Sequence, residues 1–316
     1  MTSKNRSNQL IECLRFISCV CIMFIHCGFP LPVSLRGYAM AVSRFAVSYL
    51  IILSGWYVDH DTGIRKAQKK LKDTARIICI GGLLCILWNC ANSFFRYGSL
   101  SSWIVQYLNK RTVINFLLFN RAVFFNSVFY YFFIMLYVYV IFILAQKTGV
   151  TKGLCAVSPL LLVGGIIVSE FSSLPWYYGG NFLLLGIPMF CIGYYLRTKQ
   201  RVIRALKSRE WMFITAGAVL TYLEFRWQGS RYLYVGAIVI AVSVFVFCIN
   251  HEDAHCPALL TTAGSILSLP MIVIHCEIRD TLQIFFPALG GYGLPLVVLV
   301  LSIVLSYGFR KIWRRA

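Results

Sequence analysis

A neutral imidazole is the side chain best suited to take a proton from a hydroxyl at pH 7. One sits near the end of the first apolar run, Ile11 to Phe29, which also carries Glu12 and Arg15 before His26. At about 100° per residue, Arg15 and His26 are eleven steps apart and nearly eclipsed, about 16 Å along the axis. Glu12 lies about 60° away on the same side, spaced for an i,i+3 pair with Arg15. A polar stripe on a membrane-length helix is expensive and normally faces protein or a water-filled path. Four more polar groups fall at comparable depth in later apolar runs: Arg44, Asn181, Glu224 and His275. Together they fit general-base catalysis, with direct group transfer simpler than a covalent route. His26 would take the hydroxyl proton, and a guanidinium at Arg44 would favour the neutral ring and steady a developing oxyanion. Glu224 would orient the base or the acceptor, and Asn181 and His275 would bind the acceptor. There is no HExxH, Walker or nucleophile-elbow motif.

The elements that must position these groups are membrane helices. The chain has 316 residues, 59% hydrophobic and 13% charged, with mean hydropathy +0.73. Soluble domains carry roughly 25% charged residues. The expected fold is an all-α, polytopic integral membrane bundle forming one domain over residues 1–316. Ten spans are expected near 10–29, 38–58, 75–95, 126–146, 154–169, 181–196, 211–226, 231–249, 259–278 and 292–309. The segment 100–121 is amphipathic and suits an interfacial position. Lys4 and Arg6 before the first run resemble a signal peptide, but no small-x-small site follows, so a retained span is expected. With that count, twenty Lys and Arg fall in segments on the N-terminal side of the membrane and eight on the other. The positive-inside rule then places both termini in the cytoplasm of a cell membrane. The net charge of +19 is thereby a topology signal, not a nucleic-acid footprint. The twelve cysteines lie mostly within apolar runs with no CxxC pair, which suits small buried side chains; no metal site is expected.

The loop Arg65-Lys66-Ala67-Gln68-Lys69-Lys70-Leu71-Lys72 is a candidate clamp for the phosphates of a cytoplasmic donor, with Arg65, Lys69 and Lys72 as its binding residues. The basic run Arg197 to Arg209 is a second candidate.

Five stretches carry a resemblance to a known family. They are Glu12-x-x-Arg15 with His26 eleven residues after the arginine, and Arg44-Phe45-Ala46-Val47 leading to Leu53-Ser54-Gly55-Trp56. The aromatic run Phe129 to Phe133 follows, then Asn181-Phe182-Leu183 through Gly193, then Gly264-Ser265-Ile266 through His275. In this order and spacing the chain resembles acyltransferase family 3, a family of integral membrane O-acyltransferases. The resemblance implies transfer of an acyl group, usually acetyl, from acyl-CoA to a hydroxyl of a carbohydrate-type acceptor at the outer face. Acyl-CoA would be a co-substrate, with no other cofactor; the partners would be the glycan and membrane lipid. The family histidine maps to His26 and its arginines to Arg15 and Arg44. Lys69 and Lys72 stand where members often have Arg-x-x-Arg, Gly180 stands for an arginine, and Leu269 for a tyrosine. The alternative is a transporter or flippase of a small solute or glycan, although no repeat of the usual transporter kind is visible. A bare membrane anchor is a third reading.

Overall fold

The computed structural model describes residues 8–58, 63–99, 105, 107 and 109–315. Among these the regular structure is entirely helical. Residues 1–7, which hold Lys4 and Arg6, and part of the amphipathic segment 100–121 lie outside them. In chain order the helices are α1 (Gln9–Cys27), α2 (Val33–Ser43), α3 (Phe45–Trp56), α4 (Gly63–Tyr97), α5 (Lys110–Phe119), α6 (Phe129–Lys147) and α7 (Thr151–Phe171). A 3₁₀ turn (Trp176–Tyr178) and a π-helical turn (Phe182–Gly186) follow. Then come α8 (Ile187–Thr198), α9 (Gln200–Ala205), α10 (Glu210–Gln228), α11 (Val235–Asn250), α12 (Ala258–Ile266), α13 (Ser268–Phe285) and α14 (Gly293–Arg315).

Each of the ten expected spans falls mainly on helix. Among the described residues, five helices are by length and composition alone apolar enough to cross a membrane: α1, α2 with α3, α4, α6 and α7. A sixth exists if α12 and α13 are one broken span, bent by 74°. The bend has a local cause. Pro270 stands in the first turn of α13 and has no N–H to return to the preceding turn, so the helix restarts at Ser268. The segments 182–198, 235–250 and 293–308 are apolar but shorter. The expected span 38–58 begins earlier, at Val33, and is interrupted at Arg44.

The chain forms two compact units. The first comprises Met1–Trp56 and Ile192–Ala316, the second Tyr57–Cys191. In the first unit α1 is the hub, packing against α2, α3, α12, α13 and α14. Its start is set by Asn8, whose side chain accepts from the Ile11 amide at 3.2 Å. Its end is set by Gly28 at φ +89°, with Pro30 just beyond. Leucine-rich surfaces cannot drive helices together in lipid, so close packing at small residues must do it. Gly264 of α12 meets α1 in this way, because any Cβ there would collide with the Glu12 carbonyl. A Cβ on Gly236 of α11 would likewise strike the Gly217 carbonyl of α10.

In the second unit α4 packs on α6, and the π-helical turn wedges against α6 and α7. α4 has 35 residues, about 52 Å of helix against a hydrocarbon core of about 30 Å. Its first turns therefore extend beyond the apolar part, and Arg65, Lys66, Lys69, Lys70 and Lys72 are all exposed there.

The contact at Gly264 gives a test. Gly264→Ala should force α1 and α12 apart and cost on the order of 1–3 kcal/mol, read as a lower melting temperature of the detergent-solubilised protein. An unchanged melting temperature would show that this contact does not hold α1 in place.

Candidate active site

Three of the expected residues converge within the first unit. The rings of His26 on α1 and His275 on α13 have centroids 5.6 Å apart, tilted by 45°. Arg44 lies within electrostatic reach of His26. His26 is half-buried, whereas His275 is 1% exposed.

The tautomer of His275 follows from its partner. Its Nδ1 is 2.9 Å from the Met271 carbonyl, an oxygen that can only accept. Nδ1 of the neutral ring therefore carries the proton and Nε2 carries a bare lone pair. That Nε2 is buried with no hydrogen-bond partner. A buried acceptor left open beside a second imidazole is an unusual and costly arrangement outside a functional site.

Arg44 occupies the break between α2 and α3. Its guanidinium lies 5.2 Å from the centroid of the Tyr232 ring, in the α10–α11 loop. That loop is pinned on two sides. The Tyr234 hydroxyl accepts from the Arg231 amide at 2.6 Å and donates to the Gly229 carbonyl at 2.9 Å. Glu224 closes the other side, its two carboxylate oxygens accepting from the Val235 and Gly236 amides at 3.0 Å each. Both oxygens are thus engaged with the α11 N-terminus, where a carboxylate satisfies unpaired N–H groups and the helix dipole. The geometry makes Glu224 a positioning residue for the Tyr232 loop.

Arg15 and Glu12 form their pair at the other end of α1, with Nη1 to Oε2 at 2.8 Å. Between them and His26 on the same helix, Cys19 donates to the Ser268 carbonyl at 3.5 Å, a backbone group at the broken span.

Asn181 belongs to the second unit and is engaged locally. Its Oδ1 accepts from the Leu183 and Leu184 amides at 2.9 and 3.0 Å, and its Nδ2 donates to the Tyr178 carbonyl at 2.7 Å. It caps the π-helical turn. Arg65, Lys69 and Lys72 also belong to the second unit and fall on one exposed face of α4, at i, i+4 and i+7.

One residue escaped the sequence reading. Arg279, just beyond the expected span 259–278 and given no role there, donates through Nη1 to the His26 carbonyl at 2.9 Å and pairs with Asp280 at 2.7 Å. Its charge also acts on the His26 ring. The available signal was its spacing from His275, four residues on and so on the same face of α13.

Two imidazoles and two guanidiniums in one membrane bundle match what acyl transfer requires, namely a base and charge for an oxyanion. The family model for the acyltransferase domain, Acyl_transf_3, matches residues 8–310. The chain belongs to acyltransferase family 3. It is a multi-pass membrane acyltransferase, and the family match spans both compact units. No curated protein and no solved structure matches it. Among the described residues no cluster of three or more His, Cys, Asp or Glu is arranged to hold a metal ion, and the twelve cysteines are free thiols.

The Glu224 cap can be tested in this acyltransferase. Glu224→Ala should cost about 1–2 kcal/mol through loss of the α11 cap, and Glu224→Gln, which keeps one acceptor oxygen, should cost less. Melting temperatures of the purified variants check this. Stability equal to wild type in the alanine variant would show that the cap does not matter.

Proposed function

We propose that this acyltransferase moves an acyl group, acetyl in the simplest case, from acyl-CoA to a hydroxyl of a carbohydrate-type acceptor, with His26 as the general base. The observation that carries the proposal is the His26–His275 ring pair flanked by Arg44 and Arg279, in a chain whose family transfers acyl groups.

The reaction runs as one displacement. The acceptor oxygen attacks the thioester carbonyl carbon while His26 takes the hydroxyl proton. The carbonyl oxygen becomes an oxyanion, and the guanidinium of Arg44 stabilises it where water is excluded. The C–S bond then breaks, and the imidazolium returns its proton to the departing thiolate, leaving ester and CoA thiol. His275, with its bare Nε2, accepts a hydrogen bond from the acceptor hydroxyl or from His26 and fixes the ring orientation. Arg279 holds the α1 backbone at His26 through its carbonyl.

In this reading the donor approaches from the cytoplasm. Arg65, Lys69 and Lys72, displayed on one face of α4, bind its phosphates. All ten helical segments cross the membrane, with both termini inside, as one integral domain in the cell membrane. The weakest of these by composition, α10, supports that count. Trp211 and Trp227 are 62% and 78% exposed near its two ends, about 24 Å apart, the spacing of interfacial aromatic belts.

His26→Ala should lower acyl transfer from acetyl-CoA by on the order of 10²–10⁴-fold, with membrane insertion and melting temperature retained. Wild-type turnover in that variant would remove His26 from the chemistry.

A further inference from the structure

The segment that joins α8 to α10 reads Arg197-Thr198-Lys199-Gln200-Arg201-Val202-Ile203-Arg204-Ala205-Leu206-Lys207-Ser208-Arg209-Glu210. Its Lys and Arg side chains are all exposed. The positive-inside rule asks for charge at such a place, but not for a fixed shape. Here the shape is fixed. α9 turns Ile203 inward, to 1% exposure, and leaves Val202 outside at 44%. Asn250, the last residue of α11, donates through Nδ2 to the Ile203 carbonyl at 2.9 Å and to Glu210 Oε1 at 2.7 Å. One side-chain amide thus holds both ends of the turn that carries Arg204, Lys207 and Arg209. Ser208 adopts the left-handed conformation within that turn, at φ +71°.

The same contact takes the segment's negative charge off its surface. Glu210 is its only acid and is 1% exposed, with His251 Nε2 3.7 Å from Oε1. Glu252 and Asp253 are exposed in the loop after α11. Among the described residues, no ion pair joins either of them to the cations of the segment. Arg197 lies over the Trp56 ring at 4.9 Å. The others form a rigid, uniformly positive platform.

Next to the platform α10 carries a groove of about 630 Å³, running from Trp211 and Met212 past Thr215 and Ala216 to Leu223. The small Thr215 and Ala216 lie between larger side chains. Trp211, Met212, Val219 and Leu223 are each more than half exposed. Trp211 to Leu223 is twelve steps of helix, about 18 Å, close to one leaflet of a hydrocarbon core of about 30 Å. Arg209 stands three and seven residues before Met212 and Ala216, on the same face and at the head of the groove.

The two parts together restrict what binds. Guanidinium and ammonium groups take phosphate oxygens. CoA carrying a short acyl group has phosphates but no chain to lie along the groove. A neutral lipid has the chain but leaves the platform unmatched. A second copy in the same membrane orientation would fill the groove and set one platform against another. A phospholipid with net negative charge satisfies both parts.

We infer that the α8–α10 segment and the α10 groove form a binding site for an anionic phospholipid of the adjoining leaflet. Arg204, Lys207 and Arg209 take its phosphate, and one acyl chain lies along the helix from Trp211 to Leu223. The inference rests on α10 crossing the membrane, as read above, and is independent of the chemistry at His26.

The test uses the full chain in detergent, titrated with phosphatidylglycerol or with phosphatidylcholine of the same acyl chains. Native mass spectrometry reads the bound lipid. Phosphatidylglycerol should bind on the order of tenfold tighter, and the preference should shrink at high salt. The triple variant Arg204→Gln, Lys207→Gln, Arg209→Gln should lose the preference. Ala216→Trp, which fills the groove, should weaken both lipids by on the order of tenfold. All four positions are exposed, so melting temperatures should stay at the wild-type value. Equal affinity of the wild-type chain for the two lipids would overturn the inference without any variant. So would a preference retained in the triple variant, or wild-type lipid binding in Ala216→Trp. Displacement of phosphatidylglycerol by free CoA would assign the platform to the acyl donor instead. A dimer that excludes lipid and is lost in Ala216→Trp would make the groove an interface between copies. Either result overturns the site. A separate readout tests the span itself. In bilayers of chain-brominated phosphatidylcholine, tryptophan quenching should fall in Trp211→Phe. Unchanged quenching would overturn the α10 span and the lipid site together, whereas lowered quenching with no lipid preference would overturn the lipid site alone.

Discussion

Ionisable and hydrogen-bonding side chains at bilayer depth must be satisfied by protein, because lipid offers them nothing. A single guanidinium at the centre of a spanning helix costs on the order of 2.5–3.5 kcal/mol by insertion scales. The first unit is arranged around that constraint. Arg15 is met by Glu12 one turn away, Arg44 by the Tyr232 ring, and Arg279 by Asp280 and the His26 carbonyl. The Arg279 contact ties α13 to the hub helix, the Arg44 contact ties the α10–α11 loop to the α2–α3 break, and the Arg15–Glu12 pair stays within α1. The two histidines then stand among groups that are already held. Among the buried atoms left unpaired is the Nε2 of His275, which in the proposed reading meets a substrate hydroxyl.

Helix approach follows from the same constraint. At Gly264, α12 comes up against the Glu12 backbone of the hub α1, and beside the break at Leu267 the Ser268 carbonyl accepts from the Cys19 thiol of the same helix. Leucine at 264 would keep every propensity of α12 and still prevent the packing.

The polar stripe of α1 was legible in sequence because helical periodicity alone puts Glu12, Arg15 and His26 on one side. So was the all-helical class, from continuous apolar runs. The i,i+3 pair of Arg15 with Glu12 needs no tertiary information either. Other features depend on tertiary hydrogen bonds that no spacing shows. Glu224 reads as an acid near the depth of His26, but its oxygens are taken by amides eleven and twelve residues later. Asn181 reads as a polar group in an apolar run, but it is a cap. Arg279 reads as a loop charge until α13 is seen to continue past it to Phe285. The bend at Pro270 and the interruption at Arg44 altered the expected spans for a related reason. Hydropathy averages over a window, whereas a helix break is a local backbone event.

The central claim is that the histidine pair of the first unit performs acyl transfer to a hydroxyl. The most direct measurement supplies [acetyl-¹⁴C]acetyl-CoA and a saccharide to liposomes holding the purified chain, then follows the label. The account predicts label on the saccharide in a base-labile ester, formed in step with release of free CoA thiol. Saccharide crossing the membrane unlabelled, with acetyl-CoA intact, would contradict it.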